Sequence, residues 1–137
     1  MNKEIVKRLL SDAEAARERA YCPYSNTSVG AALLTREGKI YTGANIENSA
    51  FGPTVCAERV ALFTAYHNGE RDFVAIAVSG GRCGESSTSD FVPCGVCRQV
   101  MAELTSPELT VITNVDGEPC QRTLRELLPS AFGKEKL

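Results

Sequence analysis

Residues 56–78 read CAERVALFTAYHNGERDFVAIAV, and this stretch joins a helical pattern to a short apolar run. Apolar residues recur at helical spacing from Cys56 to His67, and Asn68-Gly69 is typical of a helix end. The continuous apolar run from Phe73 to Val78 predicts a buried strand. Strands that alternate with helices are the pattern of α/β proteins, so this stretch predicts that fold class.

The segments on both sides continue the alternation. Two predicted strands flank Glu37-Gly38 as a hairpin, so we expect a three-layer α-β-α sandwich around a mixed sheet of about five strands. The predicted elements are helices at 3–20, Cys56 to His67, Cys94 to Leu104 and Thr123 to Leu128, and strands at Val29 to Leu34, Lys39 to Ala44, Phe73 to Val78 and Leu109 to Thr113. We interpret residues 80–92 as a Gly/Ser-rich loop and residues 133–137 as a frayed tail.

Length and charge limit the classes of function. The 137 residues predict a single domain that spans 1–137. The net charge is only -2 and the basic residues form no stripe, which disfavours a polynucleotide partner. The apolar runs are too short to span a bilayer and no secretory segment opens the sequence, so we expect a cytoplasmic protein without a membrane partner.

Six cysteines are many for such a chain. A disulfide scaffold suits small secreted chains that lack a core, whereas this sequence has a core pattern and no export signal. Metal binding or redox chemistry is therefore favoured. Three of the cysteines lie in motifs, namely Cys56, Cys94 and Cys97. We interpret the remaining three as ordinary free thiols, namely Cys22, Cys83 and Cys120.

Two segments, Cys56-Ala57-Glu58 and Pro93-Cys94-Gly95-Val96-Cys97, each place a cysteine at a predicted helix N-terminus. Free N–H groups and the helix dipole there favour the thiolate, which is the form that binds zinc. Two cysteines three positions apart share one helix face, and Cys56 can add a third ligand from the other helix. Three protein ligands leave one tetrahedral position for water, which is the pattern of a catalytic zinc site.

Glu58 lies two residues beyond Cys56 and can face the open position as an acid/base that is not a ligand. A solvated carboxylate in a first helical turn is the alternative interpretation. Three thiolates leave the zinc site negative, so positive charge should offset them, and Arg59 is favoured over Arg98 for this role. With the proline before the cysteine pair, these residues match the signature of zinc nucleobase deaminases, with cysteine in place of histidine as the first ligand.

The sequence resembles the small homotetrameric cytidine deaminases from about Ala20 to Phe132. The resemblance is carried by blocks in one order, namely Cys22-Pro23-Tyr24-Ser25, Val29-Gly30-Ala31-Ala32-Leu33, Asn45-Ile46-Glu47-Asn48, Cys56-Ala57-Glu58-Arg59, Pro93-Cys94-Gly95-Val96-Cys97-Arg98-Gln99-Val100 and Glu126-Leu127-Leu128-Pro129. It implies hydrolytic deamination of cytidine and 2′-deoxycytidine to uridine and 2′-deoxyuridine plus ammonia, a step of pyrimidine salvage. It also implies one Zn²⁺ per subunit and a homotetramer with active sites at subunit interfaces.

The resemblance also implies roles for single residues around the metal. Cys56, Cys94 and Cys97 would bind zinc. Glu58 would transfer protons from water to N3 of the ring and later to the departing amine. The backbone N–H of Ala57 is expected near the carbonyl oxygen of the base.

Further residues match the nucleoside-binding positions of the family. Asn45 and Glu47 match the pair that holds the ribose hydroxyls, although turn chemistry after a strand is the other interpretation. Phe132 matches an aromatic residue that reaches the base bound by a neighbouring subunit, and its alternative is packing on its own core. Phe51 stands in the same interface region, where the family often has tyrosine.

Thr27 is the clearest departure from the family pattern. It stands where the family usually has a phenylalanine that packs against the nucleoside. We hypothesise that this smaller residue gives the pocket a relaxed tolerance for substituents on the cytosine amine or ring. The alternative is that another aromatic residue, such as Phe51 or Tyr24, restores the packing.

Three alternative functions remain open at this point. Blasticidin S deaminase shares the zinc motif but lacks the ribose-type glutamate, so the presence of Glu47 favours a nucleoside. A non-enzymatic structural zinc module needs a fourth protein ligand, for which Cys83 and the sole histidine, His67, are the candidates. A thiol-based redox protein is the third alternative.

Overall fold

A five-stranded sheet forms the centre of the computed structural model, which describes residues 1–137. The strands are β1 (Thr27–Thr35), β2 (Ile40–Ala44), β3 (Phe73–Arg82), β4 (Thr110–Val115) and β5 (Glu118–Thr123). The α-helices are α1 (Lys3–Ala16), α2 (Ala57–His67), α3 (Gly95–Leu104) and α4 (Leu124–Leu127). Single 3-10 turns occur at Arg17–Arg19 and Lys134–Lys136.

The sheet is mixed, as the opening hairpin predicted. Its strand order is β2-β1-β3-β4-β5. Only β3 and β4 run parallel, and α3 is the crossover that joins them. The other neighbouring pairs are antiparallel. This arrangement confirms the predicted mixed, five-stranded sheet.

Helices cover both faces of the sheet, which confirms the three-layer sandwich. The helix α1 packs on one face, where the core contains Val6, Leu9, Ala13, Ala32 and Ala77. The helices α2 and α3 pack on the other face, where the core contains Leu33, Leu62, Ile76, Met101 and Val111. The longest helix, α1, has 14 residues. None of the helices combines the length and the apolar character that a bilayer crossing requires.

The N-termini of α2 and α3 meet at one place above the sheet. The first turn of α2 lies directly on β2, because a Cβ atom at Gly43 would lie only 2.6 Å from both Ala57 O and Ala61 N. Cys56 is the N-cap residue of α2 and Cys94 is the N-cap residue of α3. Their sulfur atoms lie 3.9 Å apart, so the packing of the two helices brings the two cysteine motifs together.

The strand β5 had not been located from the sequence. It follows a tight turn in which Asp116 and Gly117 have φ angles of 51° and 87°. As an edge strand it is largely exposed or half-buried, so it lacks the alternating apolar pattern on which the prediction depended. The Asp-Gly pair directly after β4 is the signal that could have revealed this hairpin.

Two predicted boundaries were wrong. Residues 80–82 belong to β3 rather than to the loop, because they continue the antiparallel pairing with β1. The first helix ends at Ala16, and a 3-10 turn at Arg17–Arg19 replaces its predicted last residues. Residues 134–136, within the predicted tail at 133–137, form an exposed 3-10 turn.

Candidate metal centre and active site

Three cysteine sulfurs form a compact cluster at the two helix N-termini. The sulfur atoms of Cys56, Cys94 and Cys97 all lie within 4.8 Å of one another. Tetrahedral zinc with Zn–S bonds of about 2.3 Å requires sulfur atoms about 3.8 Å apart, and the Cys56–Cys94 separation is 3.9 Å. Cys97 is buried, Cys56 is half-buried and Cys94 is exposed, so the cluster is accessible from one side. The donor set and its spacing therefore fit one zinc ion with three protein ligands.

The surroundings of the cluster prepare a thiolate before any metal binds. A hydrogen bond from Cys97 lowers the pKa of the Cys56 thiol to about 5, against the opposing effect of burial. The same hydrogen bond, together with burial, raises the pKa of Cys97 above its usual value. Binding of a metal ion displaces a thiol proton, so the affinity for metal is expected to increase with pH.

Arg59 faces the sulfur atoms. Its Nη2 donates a hydrogen bond to Cys56 Sγ over 3.3 Å. Although burial opposes it, the hydrogen bonds to the sulfurs of Cys56 and Cys97 raise the pKa of Arg59 above its usual value. The guanidinium therefore remains positively charged beside the thiolates.

Arg98 has a different position. Its Nε donates to Pro93 O over 2.7 Å and its Nη1 donates to Leu127 O over 2.7 Å. These bonds connect the start of α3 with the end of α4. Of the two arginines that follow the motifs, the structure brings Arg59 to the sulfur cluster and uses Arg98 to hold the helix that carries Cys97.

Glu58 lies in the first turn of α2 and is only 4% exposed. Burial raises the pKa of its carboxyl group to about 7, although the hydrogen bond with its own backbone N–H lowers it. A group with such a pKa is able both to accept and to donate a proton near neutral pH. Glu58 lines one cavity together with Cys56 and Cys94.

The cavity that contains Glu58 has a volume of about 280 Å³. Its apolar walls are formed by Val29, Val55, Val78, Phe91 and Val92. Its polar lining consists of Asn45, Glu47, Thr54, Cys56, Glu58 and Cys94. A cavity of this kind suits a flat heterocycle that carries a polar substituent.

Asn45 is 9% exposed and is held by the backbone of β1. Its Oδ1 accepts a hydrogen bond from Val29 N over 2.8 Å, and its Nδ2 donates to Thr27 O over 2.9 Å. The second amide hydrogen and the second lone pair have no partner among these bonds. The amide therefore has a fixed orientation and free capacity on the cavity side.

Glu47 is held by the turn that precedes β1. Its carboxylate accepts hydrogen bonds from Tyr24 N over 3.0 Å, from Ser25 N over 3.2 Å and from the Ser25 hydroxyl. The Ser25 hydroxyl lowers the pKa of Glu47 below its usual value, and both backbone N–H groups act in the same direction. Glu47 is therefore an oriented anion at the cavity mouth.

The remaining predicted site residues lie in different places. Ala57 is buried at the start of α2. Phe51 is 79% exposed and borders a second cavity of about 350 Å³ together with Glu47. Thr27 borders neither of these cavities. Phe132 is 59% exposed beside α4, where Gln99 Nε2 donates to its carbonyl oxygen over 2.9 Å.

Phe91 is a cavity residue that the sequence prediction missed. Its ring lies against the backbone of β3, where a Cβ atom at Gly80 would lie 2.5 Å from the ring. Phe91 gives the cavity that Glu58 lines an aromatic side chain. Thr27, at the position where the family usually has phenylalanine, does not line this cavity. The position of Phe91 two residues before the Pro93-Cys94 motif was the available signal, but the Gly/Ser-rich loop around it shows no periodicity.

Comparison with known proteins agrees with this geometry. The family model for the cytidine and deoxycytidylate deaminase zinc-binding region matches residues 3–113. A cytidine deaminase of Sporosarcina psychrophila is 48% identical over 133 residues, which are 96% of this chain and 94% of that protein. A blasticidin-S deaminase of Bacillus cereus is 34% identical over 124 residues, 87% of this chain and 88% of that protein.

A crystal structure of cytidine deaminase from Burkholderia pseudomallei has the same fold. It superposes with a TM-score of 0.84 at 47% sequence identity and covers 96% of this chain and 100% of that chain. The fold, the cluster of three cysteines with its buried glutamate, and the matches in sequence and structure lead to one conclusion. The chain belongs to the zinc-dependent cytidine deaminase family.

Proposed function

We propose that this protein hydrolyses the exocyclic C–N bond of cytidine and 2′-deoxycytidine. Water and the nucleoside give uridine or 2′-deoxyuridine plus ammonia. The observation that carries the proposal is the buried Glu58 beside the three-cysteine cluster, in a cavity that Asn45 and Glu47 also line. A cytidine in this cavity would have its amine near Glu58 and its sugar near Asn45 and Glu47.

The residues of the chain divide the chemistry among them. A zinc ion held by Cys56, Cys94 and Cys97 supplies a Lewis acid that makes hydroxide available near neutral pH. Glu58 removes a proton from the attacking water and transfers it to N3 of the ring. The same carboxyl group later protonates the amine as the C4–N bond breaks. Its raised pKa, caused by burial, suits both transfers.

Other groups position the substrate. The Glu47 carboxylate and the free capacity of the Asn45 amide bind the ribose hydroxyls. The N–H of Ala57, at the start of α2, faces the carbonyl oxygen of the base. Arg59 offsets the negative charge of the thiolates through its contact with Cys56. Phe91 supplies the apolar wall against the ring.

The hypothesis of relaxed substrate tolerance assumed that Thr27 forms part of the wall against the nucleoside. Because Thr27 lies outside the lining of the cavity, we propose that Phe91 takes the place of the missing aromatic contact. The tolerance for substituents on the cytosine amine then depends on the space that the cavity leaves beside Phe91. N4-acyl and N4-alkyl cytidines are the substrates that measure it, in the natural protein and in Thr27→Phe.

We further propose a single deaminase domain over residues 1–137, a cytoplasmic location and a homotetramer. Phe51 and Phe132 are strongly exposed apolar side chains, and Phe51 borders the cavity next to Glu47. Such residues would be covered if a neighbouring subunit completed the site.

The geometry favours catalysis over a structural zinc module. Within this chain only three sulfurs converge on the cluster. Cys83 contacts Cys22 instead, and His67 is the last residue of α2, about 16 Å along the helix from its start. Neither alternative fourth ligand approaches the cluster.

The testing experiment is ammonia release from a panel of substrates with zinc-loaded protein. The panel contains cytidine, 2′-deoxycytidine, cytosine, dCMP, N4-modified cytidines and blasticidin S. We expect the two nucleosides to give the highest kcat/KM, and cytosine to be poor because it lacks the sugar that Glu47 binds. Turnover of blasticidin S with none of cytidine would contradict the proposal in favour of the antibiotic deaminase.

A further inference from the structure

A second pair of thiols lies away from the metal cluster, where the turn before β1 meets the end of β3. Cys22 Sγ and Cys83 Sγ are 3.0 Å apart. The antiparallel register pairs Thr27 with Arg82, which brings the residues just outside the two strands together. Backbone bonds hold both cysteines, since Cys83 N donates to Asn26 O and Asn26 N donates to Cys22 O, each over 3.1 Å. The sheet therefore holds the two sulfurs in contact.

We propose that Cys22 and Cys83 form a redox site, which thiol–disulfide exchange with a small cationic disulfide converts to an intrachain disulfide. The Cys83 thiolate attacks one sulfur of the small disulfide, RSSR, forms a mixed disulfide and releases RS⁻. The Cys22 thiolate then attacks the Cys83 sulfur and releases the second RS⁻. Both cysteines are oxidised by two electrons in total, RSSR is reduced to two RSH, and the released thiolates take up the two cysteine protons.

The order of the two steps follows from exposure. Cys83 is exposed, whereas Cys22 is half-buried. Burial and the hydrogen bond with Cys83 raise the pKa of Cys22 to about 11, so Cys22 is the less reactive thiol towards reagents in solution. Once Cys83 carries the mixed disulfide, the contact over 3.0 Å makes the attack by Cys22 intramolecular.

The charge of the surroundings selects the class of oxidant. Both sulfurs border a cavity of about 700 Å³ that is also lined by Glu14, Glu18, Glu85 and Arg17. Arg17 is already engaged, because its Nη1 pairs with Glu14 over 3.0 Å and its other nitrogens donate to backbone carbonyl oxygens. The charged side chains that line the cavity are three carboxylates and one guanidinium, so the lining carries a net charge of −2. A cationic disulfide such as cystamine is therefore favoured over the anionic glutathione disulfide.

The disulfide would link the turn that holds Glu47 covalently to the end of β3. Residues 23–26 lie between Cys22 and β1, and this turn supplies the N–H groups of Tyr24 and Ser25 to the Glu47 carboxylate. The two cysteines are 61 positions apart, so the bridge closes a long loop and is expected to raise Tm by roughly 5–15 °C. Because the sulfurs are already in contact, the bridge leaves the Glu47 contacts in place. We expect kcat and KM for cytidine to change by less than about twofold.

The first experiment treats zinc-loaded protein with cystamine and reads mass and thermal stability, so its result does not depend on the proposed catalytic function. We expect a loss of about 2 Da, one cross-linked peptide pair containing Cys22 and Cys83, a higher Tm and full reversal by dithiothreitol. The matched control Cys120→Ser, which removes a cysteine outside the pair, should give the same result. Cys22→Ser should instead trap the mixed disulfide on Cys83, and Cys83→Ser should give no mass loss of 2 Da.

The second experiment measures the rate at which cystamine, neutral hydroxyethyl disulfide and glutathione disulfide oxidise the protein. Each rate is divided by the rate at which the same disulfide reacts with free 2-mercaptoethanol, which corrects for its intrinsic reactivity. We expect the normalised rate of cystamine to exceed that of glutathione disulfide by a factor of about five or more. This ratio should fall towards one at high salt, because salt screens the charges. Glu85→Gln should lower the ratio, whereas Glu103→Gln on α3, outside the cavity, should not. Equal normalised rates, a bridge that includes another cysteine, or an unchanged Tm in the bridged protein would overturn the proposal.

Discussion

Glu58 is the residue on which the proposed mechanism depends most directly. It is buried, it lies beside the cysteine cluster, and its raised pKa places it between its acid and base forms near neutral pH. An amide of the same shape fills the same space but neither accepts nor releases the proton that hydrolysis requires. The contrast between carboxyl and amide therefore isolates proton transfer from packing.

For Glu58→Gln we expect kcat for cytidine to fall by about a thousandfold or more, with one zinc per chain retained and Tm nearly unchanged. Steady-state kinetics, metal analysis and a thermal melt measure these quantities. Glu103→Gln is the matched control, since Glu103 is exposed on α3. Near-normal cytidine turnover in Glu58→Gln would contradict the assigned role.

Glu47 leads to a prediction about pH. The hydrogen bonds from Ser25 and from the N–H of Tyr24 lower the pKa of Glu47, so the carboxylate persists as pH falls until that lowered pKa is reached. KM for cytidine should therefore stay flat with respect to this group from about pH 8 to about pH 5. Glu47→Gln should raise KM about tenfold or more at every pH in that range, because a charged acceptor of the ribose hydroxyls is lost.

Ser25→Ala tests the cause of that behaviour. It removes the hydroxyl that is the largest contribution to the lowered pKa, so KM in this variant should begin to rise at a higher pH on acidification. A KM profile identical to that of the natural protein would show that Ser25 does not control the charge of Glu47.

Phe91 tests the aromatic wall of the cavity. Phe91→Ala removes an apolar contact with the ring, which is worth about 1–3 kcal/mol when fully buried, so KM for cytidine should rise about tenfold. Phe91→Leu keeps apolar bulk and should recover most of the affinity. If Phe91→Ala binds cytidine as well as the natural protein does, the wall lies elsewhere, and Thr27→Phe would then be the informative variant.

These residues also show what the sequence can and cannot reveal. The three cysteines and Glu58 lie at helix N-termini, so short-range spacing was sufficient to place them together. Phe91 lies in an irregular loop and becomes a cavity wall only because Gly80 on a distant strand leaves room for its ring. Such a contact depends on tertiary structure, and no local pattern encodes it.

At the scale of elements, the close contact between β2 and α2 controls the metal centre. Gly43 permits the first turn of α2 to lie on the strand, and that turn carries Cys56 and Glu58. The helices were predicted well because amphipathic periodicity and end signals define them. The edge strand β5 was not located, because exposed strands do not require alternating apolar residues.

Gly43→Ala should therefore weaken the metal site. The added Cβ would lie 2.6 Å from Ala57 O and Ala61 N, so the start of α2 must move. We expect a loss of about 1–3 kcal/mol in the free energy of unfolding and faster loss of zinc to a chelator. The control is Gly52→Ala, where an added Cβ meets nothing within 4 Å. Equal zinc retention in the two variants would contradict this explanation.

At the scale of the whole molecule, the proposed homotetramer makes a prediction about mass. Light scattering should give four times the chain mass of 14.8 kDa. Phe51→Ser should shift the mass towards smaller species and lower activity, because Phe51 is 79% exposed in the isolated chain beside the Glu47 cavity. Val115→Ser, at the end of β4 in a 36% exposed position, is the control. A fully active monomer would contradict the shared site.

The cysteine cluster has a further consequence for how the chain acquires its metal during synthesis. Cys56 and Cys94 are 38 positions apart, and β3 lies between them in the chain. A nascent chain that has emerged only as far as α2 offers one of the three sulfurs, so it holds zinc weakly. Full metal capture must wait until β3 is in the sheet and α3 has formed. Zinc uptake by a chain on the ribosome would therefore report a late stage of folding, after the three strands β1, β2 and β3 have been synthesised and before β4 and β5 have followed.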